Sequence, residues 1–215
     1  MVMRVFVAGG TGVIGRRLVP QLVARGHQVT ATTTSPDKLD LLAQLGAEGV
    51  VMDGLDAASV GEAVAQARPD AIVHQMTALA FAHAGKPNFR HPERFGAKTI
   101  RLRAEGTDHL LAAAEATGVS HVVAQSLATW PANRERGLVT EEEPLLAEEL
   151  PASFRLMWDP LHHSEDVVVR AGGAALRYGA FYGPGGGVEG QIELVRKRRL
   201  PIIGGRQRLL LVGAS

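Results

Sequence analysis

Residues 5–19, VFVAGGTGVIGRRLV, join a short apolar run to three evenly spaced glycines and then to an amphipathic segment. The run over residues 2–8 predicts a buried strand, and residues 13–25 predict a helix. The first glycine allows a tight turn, the second lets the backbone approach a pyrophosphate, and the third lets the helix pack closely on the strand. Such a triplet is weak evidence alone, but here it follows the first strand and opens a helix, which predicts a dinucleotide site. A purely structural turn stays open. The predicted cofactor contacts are Gly9, Gly10, Thr11, Gly12, Val13, Ile14 and Gly15.

Strands and helices continue to alternate along the chain. Further strands are predicted at 28–34, 49–52, 70–74, 119–125 and 174–178. Helices are predicted at 35–46, 56–67, 94–117 and 159–171. This order favours a doubly wound parallel α/β sheet of Rossmann type with helices on both faces. We expect a dinucleotide-binding domain over 1–180, interrupted by an irregular excursion at 131–155, and a small partial substrate-binding region over 181–215, including a strand at 209–212.

Composition excludes several classes of function. The chain is 46% apolar and its net charge is +1, so neither nucleic acid nor an anionic membrane is an expected partner. The basic run at 196–199 is interpreted as a solvated helix end. The absence of cysteine excludes disulfides and thiolate metal sites, and the adjacent pair His162 and His163 is a poor metal clamp, so no metal site is expected. With no apolar stretch of about 20 residues and no signal segment, a cytoplasmic location is expected.

The residues after the second strand bear on the cofactor's ribose. A carboxylate there would bind the 2′-hydroxyl of NAD and repel the 2′-phosphate of NADP. The sequence instead offers hydroxyls and a lysine, while Asp37 falls inside the next helix, for which Ser35 is the predicted N-cap. We therefore predict a modest preference for NADP and leave NAD open. The candidate contacts are Thr33, Thr34, Ser35 and Lys38.

Four segments together resemble the extended branch of the short-chain dehydrogenase/reductase superfamily, which includes NAD-dependent epimerases and dehydratases. Besides the glycine turn, these are VMDGLD at 51–56, IVHQMT at 72–77 and LRYGAFYGPG at 176–185. The resemblance implies adenine contacts at Asp53 and Gly54, and ribose contacts at Met76 and Thr77. It also implies a homodimer paired through helices 94–117 and 159–171, and a chain shortened at its C-terminus.

The same resemblance exposes departures at the catalytic positions. The family's Tyr-x-x-x-Lys pair falls on Trp158 and His162, its Ser or Thr falls on Leu127 with Ser126 one residue away, and its helix Asn falls on Arg103. An indole N–H cannot exchange a proton usefully, whereas a histidine titrates near neutrality. The candidate catalytic residues are Ser126, His162 and Tyr182. For each of them a structural role stays open.

Two functions follow from these observations. One is an NAD(P)-dependent oxidoreductase or epimerase-like enzyme that acts on a small carbonyl or hydroxyl compound with an atypical acid–base group. The other is a non-catalytic dinucleotide-binding sensor or regulatory protein. The sequence does not name the substrate.

Overall fold

The computed structural model describes residues 1–78, 96–128, 152–182, 192–193, 195–198 and 211–213. The strands are β1 (Arg4–Ala8), β2 (Gln28–Thr33), β3 (Glu48–Val51), β4 (Ala71–His74), β5 (His121–Leu127), β6 (Ala174–Tyr178), β7 (Ala180–Tyr182) and β8 (Leu211–Gly213). The helices are α1 (Gly15–Ala24), α2 (Leu39–Gln44), α3 (Ala57–Ala67), α4 (Ala97–Thr117) and α5 (Ala152–Arg170), with a 3-10 turn at Pro36–Lys38.

The first six strands form one parallel sheet in the order β3-β2-β1-β4-β5-β6. The strand order reverses between β1 and β4, where Val5 is paired with Ala71 and Ala8 with His74. In open α/β sheets, ligands bind at the carboxyl ends of the strands next to such a reversal. The glycine turn follows β1 and therefore lies at this point.

Apolar side chains fill both faces of the sheet, because successive residues of a strand point to opposite sides. Phe6, Ile72 and Val122 pack with α3 and α4 on one face. Val5 and Val7 pack with α1 and α2 on the other. The predicted doubly wound Rossmann-type fold is confirmed.

Several predicted boundaries are wrong. Helix α1 begins at Gly15, so Val13 and Ile14 belong to the preceding turn. Helix α5 begins at Ala152 and passes through Pro160, whereas the sequence predicted a start at 159 and an irregular excursion to 155. Most of that excursion, 129–151, lies outside the described residues.

Two further expectations are corrected. Ser35 makes no side-chain cap, and the segment it opens is a 3-10 turn followed by α2. The last strand, predicted at 209–212, is β8, which is parallel to β7. Among the described helices, none is both long and apolar enough to cross a membrane.

Candidate dinucleotide site

Three glycines of the turn differ in how much space surrounds them. Gly9 has φ +96, and a Cβ there would lie 2.8 Å from the Gln75 carbonyl oxygen. A Cβ on Gly15 would lie 2.4 Å from the Gly9 carbonyl oxygen and 2.6 Å from that of Gly10, so the helix can approach the strand only through glycine. A Cβ on Gly12 would meet one atom, the Gly9 carbonyl oxygen at 3.2 Å. The turn is therefore closed at Gly9 and Gly15 and open in front of Gly12.

Backbone donors surround this open space. The N–H groups of Gly10 and Gly12 bind the carbonyl oxygens of Thr32 and Gly9, whereas those of Thr11, Val13 and Ile14 have no partner among the described residues. Unpaired N–H groups at the start of a helix, together with the positive end of its dipole, form an anion site. The residues present thus fit a pyrophosphate, and a bulkier residue at position 12 would fill the space it needs.

The polar residues after β2 make hydrogen bonds to one another that the sequence did not predict. Thr33 is buried, with its hydroxyl 3.4 Å from that of Thr11 and accepting the Ser35 N–H at 3.2 Å. The Ser35 hydroxyl donates to the carboxylate of Asp37, and this bond lowers the pKa of Asp37. Thr34 is exposed and Lys38 is half-buried. A carboxylate therefore lies beside the predicted ribose contacts.

The predicted adenine and ribose contacts lie along the ends of β3 and β4. Asp53 is exposed, and its carboxylate accepts the Leu55 N–H at 3.0 Å, which shapes a turn. A Cβ on Gly54 would lie 2.5 Å from the Met76 sulfur, so this glycine admits a close contact. Met76 is buried in the core cluster and Thr77 is half-buried. Their assignment as cofactor contacts stays a prediction.

Ser126 is held in a buried charged group. Its hydroxyl donates to the carboxylate of Glu165, which also accepts hydrogen bonds from the Arg177 guanidinium, the shortest being 2.7 Å from Nη2. Burial alone would raise the pKa of Glu165, but the bonds from Arg177 and Ser126 outweigh it and lower the pKa. Glu165 is thus ionised at neutral pH, and the single hydroxyl proton of Ser126 is engaged with it.

The positions expected for the Tyr–Lys pair hold two packed rings. Trp158 is 5% exposed, and its ring centroid lies 5.1 Å from that of His162. The indole Nε1 and the imidazole Nε2 are buried without a partner among the described residues. Tyr182 lies in β7, and its side chain is outside the described part of the chain. Ser126 of β5 is hydrogen-bonded to Glu165 of α5, the helix that also carries His162.

The comparisons with known proteins decide the family. A family model described as NAD(P)H-binding matches residues 9–172. A curated reductase from a Streptomyces species, 3-diazoavenalumate denitrifying reductase, is 41% identical over 187 residues, which are 86% of this chain and 58% of that protein. The chain belongs to the NAD(P)H-binding family of extended short-chain dehydrogenases/reductases. It spans less than two thirds of the length of this relative.

Solved structures of this superfamily share the fold. The Thermus thermophilus UDP-glucose 4-epimerase, solved with NAD, is 25% identical and superimposes with a TM-score of 0.66, covering 93% of this chain and 64% of that one. The Bordetella bronchiseptica enzyme WbmG, solved with NAD and UDP, is 19% identical with a TM-score of 0.64, over 86% of this chain and 55% of that one.

Within this extended dehydrogenase/reductase fold, the sequence reasoning missed two polar residues, Gln75 and Glu165. Gln75 follows β4 beside Gly9, and its side-chain amide donates to the Tyr178 hydroxyl at 3.2 Å across the carboxyl edge. The Glu165 carboxylate accepts hydrogen bonds from both Ser126 and Arg177. Glu165 follows His162 by three residues, a spacing that places both on one helix face, and this was the available signal.

Proposed function

We propose that this chain is the cofactor-binding part of an NAD(P)H-dependent reductase of small organic molecules, whose reaction does not use the family's Tyr–Lys pair. The observation that carries the proposal is the open phosphate-binding turn combined with a buried Trp158 at the tyrosine position. A bound nicotinamide dinucleotide would supply a hydride. The chain's own contribution is to bind the pyrophosphate at Thr11, Val13 and Ile14 and to exclude water beside Trp158.

The missing acid restricts the substrate. Reduction of a carbonyl group leaves an alkoxide that needs a proton, and general acid catalysis of that step contributes about 10² to 10⁴ in rate. Trp158 cannot supply this proton, and the proton of Ser126 is engaged with Glu165. A substrate that needs only a hydride suits this site better.

A diazonium compound meets this requirement. When a hydride replaces dinitrogen, the C–N bond breaks, N₂ leaves with that electron pair, and the hydride pair forms a C–H bond. No further proton is consumed. The name of the Streptomyces relative describes a reductase that removes nitrogen from a diazo-substituted carboxylate. We therefore propose a carboxylate that carries an arenediazonium group as the substrate class, with NADPH modestly preferred over NADH.

The proposal is tested by following NADPH absorbance with 4-carboxybenzenediazonium and, separately, with a panel of ketones and aldehydes. We expect benzoate as the product, with deuterium at the former C–N carbon when the cofactor carries deuterium at C4. The Gly12→Val variant and the protein-free reaction are the controls. Turnover of carbonyl compounds alone would contradict the proposal.

A second candidate is a dinucleotide-binding sensor, favoured by the same loss of the Tyr–Lys pair. Tight NADPH binding without turnover of either panel would support it instead.

A further inference from the structure

One cation is buried at the carboxyl edge of the sheet. Arg103 lies on α4, is 7% exposed, and its Nε has no acceptor among the described residues. Burial lowers the pKa of its guanidinium to about 10, which leaves it charged at neutral pH. A buried charge is costly unless an anion compensates for it.

Four carboxylates on the two adjacent helices are engaged by other bases. The ion pairs on α4 and α5 are Arg101–Glu105 at 2.6 Å, His163–Asp108 at 2.8 Å, Arg170–Asp166 at 3.2 Å and, from β6, Arg177–Glu165 at 2.7 Å. Within the described ranges, no carboxylate contributes to the pKa of Arg103. The anion that compensates for this arginine is therefore sought outside these helices.

The packing of α4 on α5 relates the position of Arg103 to those of Trp158 and the candidate catalytic residue His162. Thr107, one turn later in α4, donates to the Arg103 carbonyl oxygen at 2.6 Å and lies 2.9 Å from the Ser164 hydroxyl of α5. Helices α4 and α5 each connect adjacent parallel strands and so run in the same direction. The position on α5 one turn before Ser164 falls between Trp158 and His162. Arg103 is thus level with these two side chains.

A second observation places the guanidinium near the end of β4. The charge of Arg103 is one of the causes that lower the pKa of His74, although desolvation by burial is the largest. His74 is the last residue of β4, next to the strand-order reversal where ligands bind in this fold. Three side-chain nitrogens of α4 and α5 are buried without a partner among the described residues: Arg103 Nε, Trp158 Nε1 and His162 Nε2.

We propose that Arg103 binds the carboxylate of the substrate, with Trp158 Nε1 as a further donor. The planar guanidinium presents two parallel N–H groups that match the two oxygens of a carboxylate. This proposal rests on the proposed function, since it assigns a substrate-binding residue to the same site. It makes the carboxylate, and not the diazo group, the part of the molecule that the protein recognises.

The test measures binding apart from turnover. Cinnamate and its neutral counterpart cinnamamide are titrated by calorimetry into protein saturated with NADP⁺. Arg103→Gln is expected to weaken cinnamate binding about 10- to 100-fold, since a hydrogen bond to a charged group is lost. Arg103→Lys keeps the positive charge but lacks the two parallel N–H groups of the guanidinium. Its affinity for cinnamate is expected to fall less than that of Arg103→Gln. Affinity for cinnamamide should not change in either variant.

Arg101→Gln is the matched control, because it removes the same charge two residues earlier from an exposed ion pair. It should leave cinnamate binding unchanged. If both Arg103 variants fail to fold, the melting temperature of the unaltered protein still decides, since cinnamate should raise it and cinnamamide should not. Equal affinities of the Arg103→Gln variant and the parent, or no binding of cinnamate by the parent, would overturn the proposal.

The outcomes separate this proposal from the proposed function. Arg103-dependent carboxylate binding without any NADPH oxidation would support the carboxylate site and contradict the reductase. Reduction of 4-carboxybenzenediazonium and its carboxamide analogue at equal KM, unaffected by Arg103→Gln, would support the reductase and contradict the carboxylate site.

Discussion

The substitution Gly12→Val separates cofactor binding from folding. Gly12 is not among the glycines with positive φ, and a Cβ there would meet only the Gly9 carbonyl oxygen at 3.2 Å. Valine therefore projects into the space in front of the turn and leaves the packing of α1 on β1 largely intact. Gly15→Ala is the matched contrast, because its Cβ would lie 2.4 Å from backbone oxygen.

The expected magnitude follows from the donors that Gly12 exposes. The N–H groups of Thr11, Val13 and Ile14 have no partner among the described residues, and a hydrogen bond to a charged group contributes about 1.5 to 3 kcal/mol. Displacing the pyrophosphate from two of them costs about 3 to 6 kcal/mol, which is a loss of at least about 100-fold in affinity. The stability of the cofactor-free protein should fall by no more than about 1 kcal/mol.

Calorimetric titration with NADPH gives the affinity, and urea unfolding without cofactor gives the stability. Gly12→Val should lose affinity and keep its unfolding midpoint, whereas Gly15→Ala should lose stability. Parent-like NADPH binding by Gly12→Val would show that the turn is not the phosphate site. A loss of stability in Gly12→Val as large as that in Gly15→Ala would refute the geometric reasoning.

Three further predictions concern the cofactor, acid stability and assembly. Asp37→Asn should raise the affinity for NADPH relative to NADH, because it removes a negative charge bound to Ser35 beside the predicted 2′-phosphate contacts; an unchanged ratio of dissociation constants would refute this. Burial lowers the pKa of His74 to about 4, below the unfolded value of 6.5, so stability should be complete above pH 6.5 and fall below it by up to about 1.4 kcal/mol per pH unit. His74→Gln should flatten this dependence in thermal melts at pH 7.5, 6 and 5. A homodimer is expected from the family resemblance, and sedimentation showing only a 22.8 kDa species would remove that expectation.

The fold was predictable because each of its signals is local. The apolar β-rich runs at Arg4–Ala8 and Ala71–His74 and the glycine turn needed only nearest neighbours to be interpreted. The helix predicted at 56–67 also has a local signal, since the Asp56 carboxylate caps it by accepting the Ala58 N–H at 3.0 Å. The predicted start of α5, residue 159, is too late in the chain. Proline is usual in the first turn of a helix, whereas Pro160 lies in the interior of this one.

The candidate site was less predictable because its interactions join residues far apart in the chain. Ser126 and Glu165 are 39 positions apart in the chain, and Gln75 and Tyr178 are 103 apart. No spacing in the sequence indicates that either pair is in contact. The sequence placed Asp37 inside the helix that Ser35 opens. The 3-10 turn brings its carboxylate back to that hydroxyl, which changes the electrostatics expected at the ribose.

The buried charges at the carboxyl edge favour one kind of chemistry over another. The carboxylate of Glu165 is ionised and already accepts the proton of Ser126 and the guanidinium of Arg177. Ser126 therefore presents lone pairs, and not a proton, to any ligand near it. Arg103 and Trp158 are donors without acceptors among the described residues, and both are poor acids, since arginine keeps its proton and an indole N–H does not ionise. These two donors can hold an anion in place but cannot protonate an alkoxide. A reaction completed by hydride alone on an anionic substrate is the one these residues suit.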